Sequence, residues 1–315
     1  MQCRIGRIAA VVVLGIALTL GGSALPQAQQ QAFKVCSDIP WAPFEMVTEG
    51  GEFFGFDLDV MRALAVLGGY QIEIQNLAFD SIIPAVQAGT CDIGASGFTI
   101  TAEREQAVDF SNPYWLSNQA VLVRQDAGFA SLDDVFCCGN RIGAQRGTTG
   151  AAWVQENLVD QGVDVELVLY ETYPLAVLDL VNKRIDAVVQ DEPASQQSIR
   201  AYPDVLTIVG IVETNEYFGF NVAEGDPNGL LPRINRGMAQ LGLQLDLLLT
   251  EEGWKVALQI TPGSPWDNLV KAYFGADADT VTQAWLACKD GILTAQSYDD
   301  IAAFAQCMAA EAGQQ

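Results

Sequence analysis

The stretch Gln71–Ala95, QIEIQNLAFDSIIPAVQAGTCDIGA, decides the fold. Gln71–Asn76 alternates polar and apolar residues with the period of a strand. Phe79–Ala88 is apolar at helical spacing and stops at Gly89, and Asp92–Ala95 is a second short apolar strand. A strand, a helix and a strand in so short a span form a parallel crossover unit. Upstream, Phe33–Ser37 reads as a strand and Phe56–Leu67 as a helix, with Gly68 and Gly69 at its end. Asp57 and Asp59 read as structural, a cap and a surface position. The pattern restarts downstream with a strand at Arg141–Gln145, the turn Gly147-Thr148-Thr149-Gly150 and a helix from about Ala151. Val165–Tyr170, Pro174–Asn182 and Asp186–Gln190 then read as strand, helix and strand, running into Asp191-Glu192-Pro193. Asn118–Arg124 looks like a crossover between the two sets, with a return near Glu213–Phe220. The expected architecture is α/β with two lobes, each a mostly parallel sheet flanked by helices and joined by two crossover strands. Lobe one takes 33–116 and 219–275, lobe two 117–218, and 276–315 is a C-terminal helical extension.

Composition narrows the function. Residues 1–24 read as a signal peptide: Arg4 and Arg7, an apolar run Ile8–Leu20 too short for a comfortable membrane span, then small residues at Gly22-Ser23-Ala24. Cys3 precedes the apolar run and no cysteine closely follows it, so no lipid anchor is indicated. An exported, soluble, periplasmic chain is expected. The formal charge of −23 argues against nucleic acid or an anionic membrane as partner. The chain has no histidine, which removes histidine triads and every histidine-containing metal site. No metal or cofactor is expected. Six cysteines follow the signal, allowing 15 pairings. Cys288 and Cys307 sit on adjacent helical patterns and are expected to pair, as are Cys36 and Cys91 on neighbouring strands. Cys137 and Cys138 are adjacent and not expected to bond to each other.

Ala95–Tyr114, ASGFTITAEREQAVDFSNPY, holds one cation, Arg104, after a small-residue turn. An arginine fork suits a carboxylate, and the turn around Ser96–Thr99 offers hydroxyl and N–H groups to the same anion. The competing reading is a surface ion pair with Glu103 or Glu105. The Gly147–Gly150 turn suits an anion at a helix start, or is a plain N-cap. Asp191 reads alternatively as a helix cap, Trp41 and Phe79 as core, and Asp38 as an acid that orders its own turn.

Taken in order, these segments resemble the periplasmic amino-acid-binding proteins of ABC importers, the family of lysine/arginine/ornithine-, histidine- and glutamine-binding proteins. The marks are CSDIPWAPFE at 36–45, GFDLD at 55–59, FDSIIP at 79–84, Thr99–Arg104, Asp109-Phe110-Ser111, Gly147-Thr148-Thr149 and DAVVQD at 186–191. The resemblance implies a type II periplasmic-binding-protein fold with hinge closure, no catalysis, and a free amino acid as ligand. It implies that Arg104 clamps the ligand α-carboxylate with Thr99 and Thr149, while Asp191 and the Gly97 carbonyl receive the α-ammonium. Trp41 and Phe79 would sandwich the side chain, and Asp38 would lie near its far end. The Cys36–Cys91 pair also looks like one found in some members. An inner-membrane ABC permease is the implied partner of a monomeric chain. The pocket offers no second cation, which leans toward a polar or cationic side chain. A dehydratase of the cyclohexadienyl type, with Asp191 or Glu192 as acid, and a sensor module are the alternatives. The segment Thr250–Asp267, with Trp254 and Trp266, and the extension beyond Gly275 depart from the family pattern.

Overall fold

The computed structural model describes residues 31–250 and 253–313, so the expected signal segment lies outside the described residues. The Trp254 side chain is outside them too.

Two five-stranded sheets organise the chain. The first runs Gln71–Asn76, Ala32–Ser37, Ile93–Gly94, Asn221–Ala223, Val108–Phe110. Ala32–Ser37 is parallel to both neighbours, in register Val35 to Ile74 and Val35 to Ile93. Asn221–Ala223 returns antiparallel between Ile93–Gly94 and Val108–Phe110. The second sheet runs Leu206–Phe218, Trp115–Arg124, Ala187–Asp191, Asn140–Gln145, Val165–Tyr170. Its last three strands are parallel, and Trp115–Arg124 is antiparallel to both neighbours.

The two crossovers are therefore the longest strands of the second sheet, bonded to each other from Trp115↔Phe218 to Arg124↔Leu206. The return strand begins at Leu206, earlier than the sequence suggested, because its apolar residues pair before the polar run 213–216 interrupts the register. At the Trp115 end this ribbon is stitched to the first lobe. Ile100 N–H donates to the Tyr217 carbonyl at 2.8 Å, and Gly219 N–H to the Phe98 carbonyl at 2.9 Å.

Helix Phe56–Gly68 corrects the sequence reading of its two aspartates. Both are fully buried, and neither caps the helix. Asp57 accepts from Gly97 N–H at 3.0 Å and from Tyr114 O–H at 2.6 Å. Asp59 accepts from Arg62 and from Tyr273 O–H. Gly97, Tyr114 and Tyr273 lie far along the chain, where local pattern cannot see them, and they bond one oxygen of each buried carboxylate.

The segment after Leu241 holds a β-hairpin, Leu243–Thr250 with Gly253–Ile260, that the sequence reading did not find. Helix Pro265–Gly275 follows. Its Trp266 is fully buried, edge-on to Phe56 at 5.4 Å. The extension forms helices Ala278–Leu293 and Tyr298–Ala312. Their apolar faces bury Trp285, Ile301, Phe304 and Met308. Trp285 stacks on Phe54 at 4.8 Å, and Lys289 pairs with Glu52, so the extension is seated on the first lobe.

The structure forms Cys36–Cys91 and Cys288–Cys307. It also joins Cys137 to Cys138, against expectation, in a turn where Cys138 takes a left-handed φ of 66°.

Because Trp285 is core rather than decoration, Trp285→Ala should destabilise the protein by about 3–5 kcal/mol, read as a lowered urea midpoint. A change below about 1 kcal/mol would show the extension to be an independent appendage.

Candidate functional site

A cleft between the lobes is lined by Asp38, Trp41, Phe79, Gly97, Thr99 and Arg104 from one side, and by Gln145, Thr149, Tyr173 and Asp191 from the other. All eight residues singled out in the sequence meet there. Asp38 follows directly on the strand Ala32–Ser37, and its carboxylate accepts from Gln145 Nε2 of the opposite lobe at 2.5 Å. Gly97 has φ 55°, and a Cβ there would lie 2.3 Å from the Trp41 ring. Only glycine lets the backbone approach the indole this closely. Trp41 also faces Tyr173 across the cleft, centroids 6.4 Å apart.

Arg104 is not a surface ion-pair residue. Its guanidinium donates to the Thr99 carbonyl at 2.8 Å and to the Gly147 carbonyl of the other lobe at 3.1 Å. It lies 5.4 Å from each of the Phe79 and Phe98 rings, which stack on each other at 4.5 Å. Two bonds to carbonyls leave further N–H donors for an anion.

Asp191 stands at the N-cap position of helix Glu192–Ala201, yet its side chain makes no capping bond. It accepts from Gln119 Nε2 at 3.3 Å. The capping of helix Thr149–Val154 falls to Thr148, whose Oγ1 accepts from Ala151 N–H at 3.2 Å. That division frees the Thr149 hydroxyl for the cleft, where it lies 3.3 Å from Thr99 Oγ1. The bonds Arg104 donates to Gly147 and Gln145 donates to Asp38 cross between lobes, and the Thr99 and Thr149 hydroxyls meet across the same gap, so the cleft is closed.

The model of the bacterial extracellular solute-binding proteins, family 3, matches residues 33–254. The chain belongs to that family. A probable histidine-binding protein of Neisseria gonorrhoeae is 34% identical over 200 residues, 62% of this chain and 73% of its own. An ancestral arginine-binding protein bound to arginine superposes with TM-score 0.66 at 29% identity, covering 78% of this chain and 99% of its own. An ancestral amino-acid-binding protein, a precursor of cyclohexadienyl dehydratase, gives 0.64 at 31%, with coverages of 77% and 95%. The solute-binding protein has the two-lobe type II fold of these relatives. Among its described residues no helix is long and apolar enough to cross a membrane.

Four cleft residues of this solute-binding protein escaped the sequence reading: Gln119, Gln145, Tyr173 and Glu216. Gln119 was the most legible, a polar residue on the inward face of the strand Trp115–Arg124, in line with Val121 and Val123. Glu216 is buried and accepts from Thr99 Oγ1 at 2.6 Å, from Thr149 Oγ1, and from Gln119 Nε2 at 3.0 Å. Nothing in the run Glu213–Glu216 marks which acid turns inward.

Burial sets the electrostatics. It pushes the Asp38 carboxyl up to about 6, against the pull of the Gln145 bond. It raises Asp57 to about 6, opposed by Tyr114 and Gly97. Asp191 rises to about 8, from burial first and the nearby Glu216 charge second. Burial also weighs against the Arg104 charge, which Glu216 and Asp191 support. A carboxyl whose folded value is raised stabilises the fold fully below its unfolded value and loses that contribution as pH climbs through the folded value. The ligand-free protein should therefore become less stable from about pH 4 to about pH 8, through Asp38, Asp57 and Asp191 together at first and through Asp191 alone above about pH 6, as urea midpoints will read. Asp191→Asn should flatten the upper part of that slope. A midpoint that rises over the same window contradicts the assignment.

Proposed function

We propose that this protein is the solute-binding component of an ABC importer, capturing a free L-amino acid between its lobes and delivering it to a membrane permease. One observation carries the reading: a half-buried arginine from one lobe and a buried carboxylate from the other, Arg104 and Asp191, line a single cleft. A zwitterion brings two charges that are costly to bury unless each meets a partner. Arg104, with the Thr99 and Thr149 hydroxyls, is assigned the α-carboxylate, and Asp191, with the Gly97 carbonyl, the α-ammonium. Trp41 and Phe79 are assigned the faces of the side chain and Asp38 its far end. A ligand held this way bridges the lobes and favours the closed form.

The charge balance supports a cationic side chain over an acidic one. Asp38 and Asp191 line the cleft against one lining cation, Arg104. The lobe boundaries that fit this scheme are 33–116 and 219–275 for lobe one and 117–218 for lobe two, the protein acting as an exported monomer with no catalytic step. A dehydratase reading draws support from the proton that Asp191 keeps to about pH 8, a candidate acid for water loss. Turnover of a hydroxycyclohexadienyl carboxylate, with no amino acid bound, would favour it.

A thermal-shift screen of the twenty amino acids with ornithine and citrulline tests the proposal. Ligand at a hundredfold excess over Kd adds about 2.7 kcal/mol and a clear rise in midpoint. No rise with any of them ends the amino-acid reading. Arg104→Lys and Asp191→Ala should each weaken binding by about 2–5 kcal/mol, roughly thirtyfold to several-thousandfold. Calorimetry in two buffers at about pH 6.5 should find close to one proton released per ligand, as the ammonium draws Asp191 into its ionised form. Proton uptake on binding would overturn the role given to Asp191.

A further inference from the structure

Glu216 lies on the return crossover strand, near the end where it passes to the first lobe, at the point where that strand's pairing slips. The register shifts between Val212 and Glu216, and Asn215 takes a left-handed φ of 51°, its N–H held by Asn118 Oδ1 at 2.9 Å. The irregularity places Glu216 opposite Ser117 and leaves the residue 8% exposed. One carboxylate oxygen accepts from Thr99 Oγ1 of lobe one at 2.6 Å and from Thr149 Oγ1 of lobe two, and the other from Gln119 Nε2 at 3.0 Å.

A hydroxyl has one proton to give. The Thr99 and Thr149 protons go to Glu216, yet these are the two hydroxyls that the proposed function assigns to the ligand's carboxylate. They cannot serve both anions at once, and two carboxylates around one hydroxyl pair repel.

We propose that Glu216 is an internal competitor for the carboxylate end of the ligand: it takes the Thr99 and Thr149 hydroxyls itself, latches the lobes together through them, and is displaced when the ligand's carboxylate arrives. The competitor half of this inference rests on the amino-acid reading; the latch half does not. A way out for the displaced side chain exists. Glu216, Thr99, Arg104 and Thr149 also border a wide groove that opens past Trp153 and Asn157 toward solvent. Glu216 thus sets a threshold on binding. A ligand must carry a carboxylate good enough at Arg104 to replace the protein's own, and compounds without one leave the latch in place.

Two variants separate the halves. Small-angle scattering without ligand reads the latch: Glu216→Ala should shift the protein to a larger radius of gyration than wild type, with unchanged far-ultraviolet circular dichroism. An unchanged radius overturns the latch whatever the ligand is. If the alanine variant does not fold, Glu216→Asp, one methylene shorter, makes the same comparison. Calorimetry with L-arginine as probe reads the competition: E216Q removes the charge while keeping the shape and should bind at least tenfold more tightly. Weaker binding would make Glu216 a partner of the ligand, and binding within twofold of wild type would make it purely structural; either result overturns the competitor. If wild type gives no heat with L-arginine or with any amino acid of the screen, the amino-acid reading fails and takes the competitor with it. The scattering comparison then still decides the latch by itself.

Discussion

A charge removed from water must find a partner or be given up, and the arrangement of this cleft follows from that constraint. Asp38 reaches across to Gln145, Arg104 to the Gly147 carbonyl, and Glu216 to hydroxyls on both sides. Asp191 accepts from Gln119 at 3.3 Å, and burial with the Glu216 charge beside it holds its carboxyl well above the usual carboxylate range. Each lobe thus leaves polar groups that the other lobe satisfies. Closure and charge pairing are one event, and the sheets behind them serve to present loop ends at the right height for it.

The alternation of short strands and helices made the two-lobe fold readable, because a parallel sheet needs helical crossovers and those leave a long-range rhythm. The cleft residues were readable for a different reason. Arg104, Thr149 and Asp191 sit at strand ends and turns, where small and polar residues stand out from the apolar runs around them. What escaped was long-range. Asp57 sits where a helix cap would, and only Tyr114 and Gly97, brought in by other elements, show it to be buried structure. Asp59 depends likewise on Tyr273, beyond the hairpin. Glu216 and Glu213 share one polar run, and the slip in strand register that separates their fates has no local mark. The hairpin Leu243–Thr250 with Gly253–Ile260 was hidden because its apolar run LDLLL at 245–249 fits a helix as readily as a strand.

The extension shows how an added piece becomes core. The helix Phe56–Gly68 buries Phe56 against Trp266, Tyr273 and Phe274, and Phe54 just ahead of it meets Trp285. The aromatic cluster therefore runs from the first lobe's own strands and helices out into the last two helices, with Cys288–Cys307 closing the far side. Lobe one is enlarged by this packing, and the second sheet receives far less of it.

The paired crossover strands have a mechanical consequence. Two separate linkers would let the lobes swing and also twist about each other. Here the two passages are bonded side by side along nearly their whole length and belong to the second sheet, so they travel with it as one stiff plate. Tyr114 and Phe218, Ser111 and Phe220 are bonded just below, where the plate meets the first lobe. A paired ribbon resists twisting more than two free linkers would, so the same band that joins the lobes also limits how they can turn against each other. Arg200 adds a second tie beside it, donating to the Phe274 and Ala276 carbonyls at 2.9 Å.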